Sequence, residues 1–173
     1  TIFGIGLFGF MTLGTPAVAL ACAFGSLASL VKIVLLVWQR RRQSHSPLKK
    51  SEATRWERGH ACVTFAMAAS VGGFAFAVFS DNDLAMQMLA VGLVFGYGSG
   101  IVSRVSVRPV VAVSALMLAV MPLVVAAALH GGSSQAIMAV VFFAFLLGAF
   151  ESVRHHHRNA VRLIALRLDM AEL

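Results

Sequence analysis

The chain has 173 residues, 59% of them hydrophobic and 12% charged, with a mean hydropathy of +0.86. Soluble domains of this size carry about 25% charged residues; here the shortfall lies in long charge-free runs, which excludes an ordinary soluble domain and indicates a polytopic membrane protein. The formal charge of +7 does not indicate a nucleic-acid partner, because no basic platform with interleaved aromatics exists and only Lys32 lies deep in an apolar run.

Residues 1–13 (TIFGIGLFGFMTL) are apolar but short. As a helix they reach only about 20 Å against a hydrocarbon core of about 30 Å, so they are expected to be the outer part of a first, truncated span. No basic n-region or cleavage site marks a signal peptide. Gly14-Thr15-Pro16 is a turn, with proline where a new helix can start.

Residues 17–38 form the second expected span. Lys32 sits near its basic end and can snorkel there, and Trp38 is placed as an interfacial anchor. The segment 39–60 is the most polar of the chain and holds Arg40, Arg41, Arg42, Lys49, Lys50, Arg55 and Arg58. Within it, residues 51–57 read as a short interfacial helix with Trp56 at headgroup depth. The third span, 61–80, has Gly72 and Gly73 at its middle, which permits a close crossing or a slight kink. Asp81-Asn82-Asp83 is a tight outside turn. Cys22 and Cys62 fall near opposite ends of neighbouring spans, which argues against a bridge, and both read as small buried apolar residues.

The fourth span, 84–103, carries Gly92, Gly96 and Gly100 at four-residue intervals, a ridge without side chains that predicts close helix packing. Arg104 and Arg108 mark a short loop ending at Pro109. The fifth span, 110–129, contains Pro122 as an expected kink. After the turn 130–134, residues 135–150 begin the sixth span, which runs on into a basic tail with Arg154, Arg158, Arg162 and Arg167.

The fourteen Lys and Arg residues alternate completely: seven follow the second span, two the fourth and four the sixth, with Lys32 leaning toward the first group. The intervening loops hold none. That pattern predicts six spans with both termini cytoplasmic, oriented chiefly by Arg40, Arg41, Arg42, Arg104, Arg108, Arg154 and Arg158.

Little of this carries chemistry. Consecutive helical residues point about 100° apart, so His155, His156 and His157 cannot jointly chelate one ion on a regular helix. His60 and His130 lie at span ends on opposite sides, which disfavours haem. Gln87 lies near the outer end of its span, and no acidic residue lies inside any span, which weakens a transporter reading. Glu151 and Arg154 could form an interfacial ion pair of little energetic consequence. No nucleophile–base pair, phosphate loop or carboxylate dyad is present, so the chain is not read as an enzyme and no residue is assigned a catalytic, cofactor or metal role.

In the tail, Val161, Ile164, Leu168 and Ala171 recur at spacings of three and four, and Leu163, Leu166, Met170 and Leu173 form a second row beside them. Two apolar rows on adjoining faces of a cytoplasmic helix make a credible homodimer contact. A lone helix of this length is marginal in water.

The order of Trp56-Glu57-Arg58, the third span, Asp81-Asn82-Asp83, the Gly-rich fourth span and Ser103-Arg104-Val105-Ser106-Val107-Arg108-Pro109 resembles the six-span N-terminal membrane regions of bacterial cyclic-di-GMP signalling proteins. The tail RNAVRLIALRLDMAEL resembles the linker that in that family leads to a PAS or GGDEF domain. The likeness runs from about Leu48 onward; similar regions also precede histidine kinase and EAL phosphodiesterase modules. It implies a parent diguanylate cyclase in the bacterial inner membrane, making cyclic di-GMP from GTP with Mg²⁺ across a dimer of output domains. No GGDEF motif stands in this sequence, so GTP and Mg²⁺ belong to the implied output domain alone.

The expectation is therefore an all-α polytopic bundle over residues 1–150, with a cytoplasmic amphipathic linker helix over 151–173. Its function would be that of a sensory, anchoring and dimerisation region, with a small transporter or channel, or the sensor of a kinase or phosphodiesterase, as alternatives. Any ligand would be apolar, membrane-borne or a small molecule entering the bundle.

Overall fold

A backbone in hydrocarbon has no water to bond and must satisfy its own N–H and C=O groups, so each long apolar run becomes a helix. The computed structural model describes residues 16–43, 50–80, 83–105, 108–129 and 132–171. They form α1 (Pro16–Gln43), α2 (Lys50–Phe79), α3 (Leu84–Val105), α4 (Pro109–Leu129) and α5 (Ser133–Ala171). All five are long and apolar enough to cross a bilayer. The expected first span, 1–13, lies outside the described residues, so five of the six expected spans are seen as helices.

Local chemistry sets the helix starts. Pro16 opens α1, where its missing N–H costs nothing. Asp83 caps α3: its Oδ1 accepts from the N–H groups of Ala85 at 2.9 Å and Met86 at 3.3 Å. Gln135 reaches back from the third residue of α5 to accept the Gly132 N–H at 3.3 Å, half of a capping box. The segment expected as a separate interfacial helix, 51–57, is instead the start of α2. Nothing between Glu52 and His60 breaks a helix, since Gly59 costs propensity but no hydrogen bond.

The pair α2 and α4 forms the centre. Helix α1 packs on α2, α5 packs on α4, and α3 lies against α2, α4 and, less extensively, α5. The buried stripe of α4 is rich in alanine (Ala112, Ala115, Ala119, Ala126, Ala127), which brings backbones close where lipid supplies no hydrophobic drive between helices. The outward face of α1 is apolar too: Leu20, Phe24, Leu27, Leu30, Ile33 and Val34 are all exposed. Such a face is consistent with contact with a lipid bilayer.

Only some of the expected packing glycines pack. A Cβ built on Gly72 meets the Leu118 carbonyl oxygen and stands 2.9 Å from Pro122 Cγ, whereas one on Gly73 meets nothing within 4 Å. The same open space surrounds Gly92, Gly96 and Gly100, so the expected ridge is not a contact between described helices. The close approach on α3 belongs to Gly98, whose built Cβ lies 2.9 Å from Phe145 Cζ. Gly98 is two residues from both Gly96 and Gly100, which turns it about 200° from them, onto the face shared by Met86, Ala90, Val94 and Ile101.

Helix α4 continues through Pro122. Both cysteines are free; Cys22 is half-buried, and Cys62 is exposed, not buried as expected, because it falls on the outward side of α2.

Candidate functional site

Several polar side chains gather at one end of the bundle, where α1 and α3 finish and α2 and α4 begin. The two tryptophans expected at the interface meet there: Trp38 and Trp56 stand edge to face with ring centroids 5.0 Å apart. Gln39 Oε1 and His60 Nε2 are 2.7 Å apart, a second tie between α1 and α2. Arg108 Nε donates to Glu57 Oε1 at 3.1 Å and joins the start of α4 to the start of α2. By contrast, Glu151 and Arg154 are both exposed and make no ion pair among the described residues.

Above this girdle lies a cleft of about 390 Å³. It runs between α1 and α3 and is floored by α2, whose Thr64 and Met67 line it. Helix α1 contributes Lys32, and α3 contributes Gly96, Tyr97, Gly100, Ile101, Ser103, Arg104 and Val105. The polar groups of the floor and far wall are already engaged. Tyr97 Oη donates to the Thr64 carbonyl at 3.1 Å, Thr64 Oγ1 to the His60 carbonyl at 2.8 Å, and Ser103 Oγ to the Gly100 carbonyl at 3.2 Å. Lys32 and Arg104 are the cations that line the cleft. Neither has a carboxylate partner among the described residues.

The glycines read as a packing ridge are thus partly the wall of a cleft: Gly96 and Gly100 leave open the space that side chains would fill. The sequence offers one clue, Lys32 as the cation set inside an apolar run. It offers none that Arg104, Tyr97 and Thr64 would share its cleft.

The remaining expected residues are placed as follows. Arg40 is exposed, Arg41 has a partner, and the side chain of Arg42 lies outside the described residues. Arg104 and Arg108 stand at the basic end, while Arg154 and Arg158 are exposed on the continuation of α5. On that continuation Val161, Leu163, Ile164 and Leu166 are all more than half exposed. The side chains of Leu168, Met170 and Ala171, and all of Leu173, lie outside the described residues. His155 and His156 have ring centroids 6.4 Å apart, and no group of three metal-ligating side chains converges among the described residues.

The arrangement is a cleft lined by two cations beside a long continuous helix. Neither family models, curated proteins nor solved structures yield a match to this chain.

Proposed function

We propose that this chain is the membrane-embedded sensory, anchoring and dimerisation region of a bacterial cyclic-di-GMP signalling protein, a diguanylate cyclase. In this reading the basic end faces the cytoplasm, and α5 carries the state of the bundle to an output domain that binds GTP and Mg²⁺. The observation that carries it is the continuity of α5, one helix of 39 residues from Ser133 to Ala171. At about 1.5 Å per residue it extends about 58 Å, roughly twice the thickness of a hydrocarbon core. Between Phe142 and Val153 it packs through Phe142, Leu146, Ala149 and Val153, and farther on it exposes Val161, Leu163, Ile164 and Leu166.

An unbroken helix that packs along one face within the bundle and is apolar on its extension suits transmission. A shift of α5 against α4 changes how two copies of the tail pair, and so the register of what they carry. The resemblance of the tail to the linker of that family supplies the output.

The test uses the intact protein in nanodiscs. Ile164→Glu with Leu168→Glu is expected to abolish dimerisation and cyclic-di-GMP synthesis while the bundle stays folded. Unchanged dimerisation and synthesis would remove the tail from the mechanism.

A further inference from the structure

We propose that the cleft between α1 and α3 binds a phosphate group, with Lys32 and Arg104 as its two cationic ligands. This inference is independent of the cyclase reading: it concerns the bundle alone.

Three features point to it. First, Lys32 precedes Trp38 and Gln39, the α1 residues of the polar girdle, by six and seven residues, about 10 Å along the helix axis, so it lies inside the level that those side chains define. A cation held there needs a counter-ion or a route to water. Second, the side chain lines the same cleft as Arg104, from a helix on the opposite wall. Snorkelling alone would separate like charges; two cations converging on one space are stabilised by an anion between them. Third, Tyr97, Thr64 and Ser103 spend their hydroxyl hydrogens on backbone carbonyls. The donors left to the cleft are therefore the ammonium and the guanidinium, which suits a small, strongly charged oxyanion.

The walls set the size and the neighbours. At about 390 Å³ the cleft falls in the range of small-ligand sites, about 300–1,000 Å³. Gly96 and Gly100 keep it open, and Met67, Ile101 and Val105 give it apolar flanks. Basic pockets between membrane helices at headgroup level accommodate anionic headgroups. The shared chemistry is a phosphate with net negative charge, supplied either by an anionic phospholipid or by free phosphate; phosphatidylcholine, whose phosphate is neutralised by its own choline, is the reference.

The experiment reconstitutes the whole chain in phosphatidylcholine nanodiscs with and without phosphatidylglycerol, and titrates inorganic phosphate into the phosphatidylcholine discs. Thermal unfolding and lipid retention by native mass spectrometry are the readouts. Phosphatidylglycerol retained selectively assigns a lipid headgroup; stabilisation by inorganic phosphate alone assigns a free anion. In either case Lys32→Gln and Arg104→Gln should each weaken binding about tenfold, the loss of one charge-assisted hydrogen bond. Lys32→Arg should retain it, and Gly100→Leu should block it sterically. Arg154→Gln, outside the cleft, should have no effect. Selectivity for neither anion, or equal binding by wild type, Lys32→Gln and Arg104→Gln in discs where the wild type melts cooperatively, would overturn the proposal.

Discussion

Gly72 of α2 lies directly against the Leu118 carbonyl of α4, and Pro122 is the reason that carbonyl is available. In a regular helix the N–H of residue 122 would bond to the carbonyl of residue 118; proline has no N–H. Gly72 presents a Cα hydrogen toward the freed oxygen, a contact that elsewhere is worth about 0.5–1 kcal/mol. The proline and the glycine are thus two halves of one crossing. Gly72→Ala is expected to destabilise the bundle by about 1–3 kcal/mol, the usual cost of overpacking, because the obstructing atom is backbone and cannot swing away. Gly73→Ala, one residue on, should be neutral or slightly stabilising. Unfolding of the two variants in mixed micelles distinguishes them directly.

The approach of Gly98 to Phe145 is softer, since the obstructing atoms are the tip of a side chain. Phe145 stands edge to face with Phe95 at 4.5 Å, and Phe95 in turn stacks on Phe142 at 5.1 Å. Gly98→Ala should displace Phe145, and Phe145→Leu should relieve it. A double-mutant cycle is expected to show a coupling of about 0.5–3 kcal/mol. Gly96→Ala, on the other side of α3, should leave stability unchanged; loss comparable to Gly98→Ala would mean that the ridge packs after all.

Helix α1 is held mainly by α2, and Ser70 is one of its few polar ties: Ser70 Oγ donates to the Ala21 carbonyl at 2.7 Å. Hydrogen bonds between membrane helices average about 0.6 kcal/mol. Ser70→Ala should therefore cost a few tenths of a kcal/mol globally, yet raise hydrogen exchange selectively in α1. A global effect without local opening of α1 would refute this role.

The Arg108–Glu57 pair should contribute little despite its good distance. Both side chains are 47% exposed, and pairs of this kind are worth about 0.2–1 kcal/mol. Glu57→Gln should shift thermal stability by no more than that, and by less at high salt, where screening has already removed most of the attraction.

Ser134 and Arg158 are both exposed, near opposite ends of α5. With Cys22 and Cys62 replaced by serine, single cysteines at 134 and 158 should react with an impermeant maleimide from opposite faces of the membrane. The charge pattern predicts that position 134 labels in intact spheroplasts and position 158 only after lysis. The reverse result would invert the proposed orientation.

Much of the architecture was legible from residue order alone. Length and hydropathy determined where the helices lie, because hydrocarbon leaves the backbone no other way to satisfy its polar groups. The continuation of α5 past Phe150 followed from the absence of proline or glycine between Glu151 and Ala171. What periodicity could not supply was rotation about each axis. Every residue turns a helix by about 100°, so neighbours such as Gly72 and Gly73 differ only in what stands opposite them.

Tertiary structure alone decided those pairings. It put Gly72 on Leu118 and Gly98 on Phe145, and left Gly92, Gly96 and Gly100 facing open space. It likewise set Lys32 and Arg104, remote in sequence, around one cleft. A charge inside an apolar run announces itself in the sequence; its partner across a cleft does not, because the helix between them supplies the geometry.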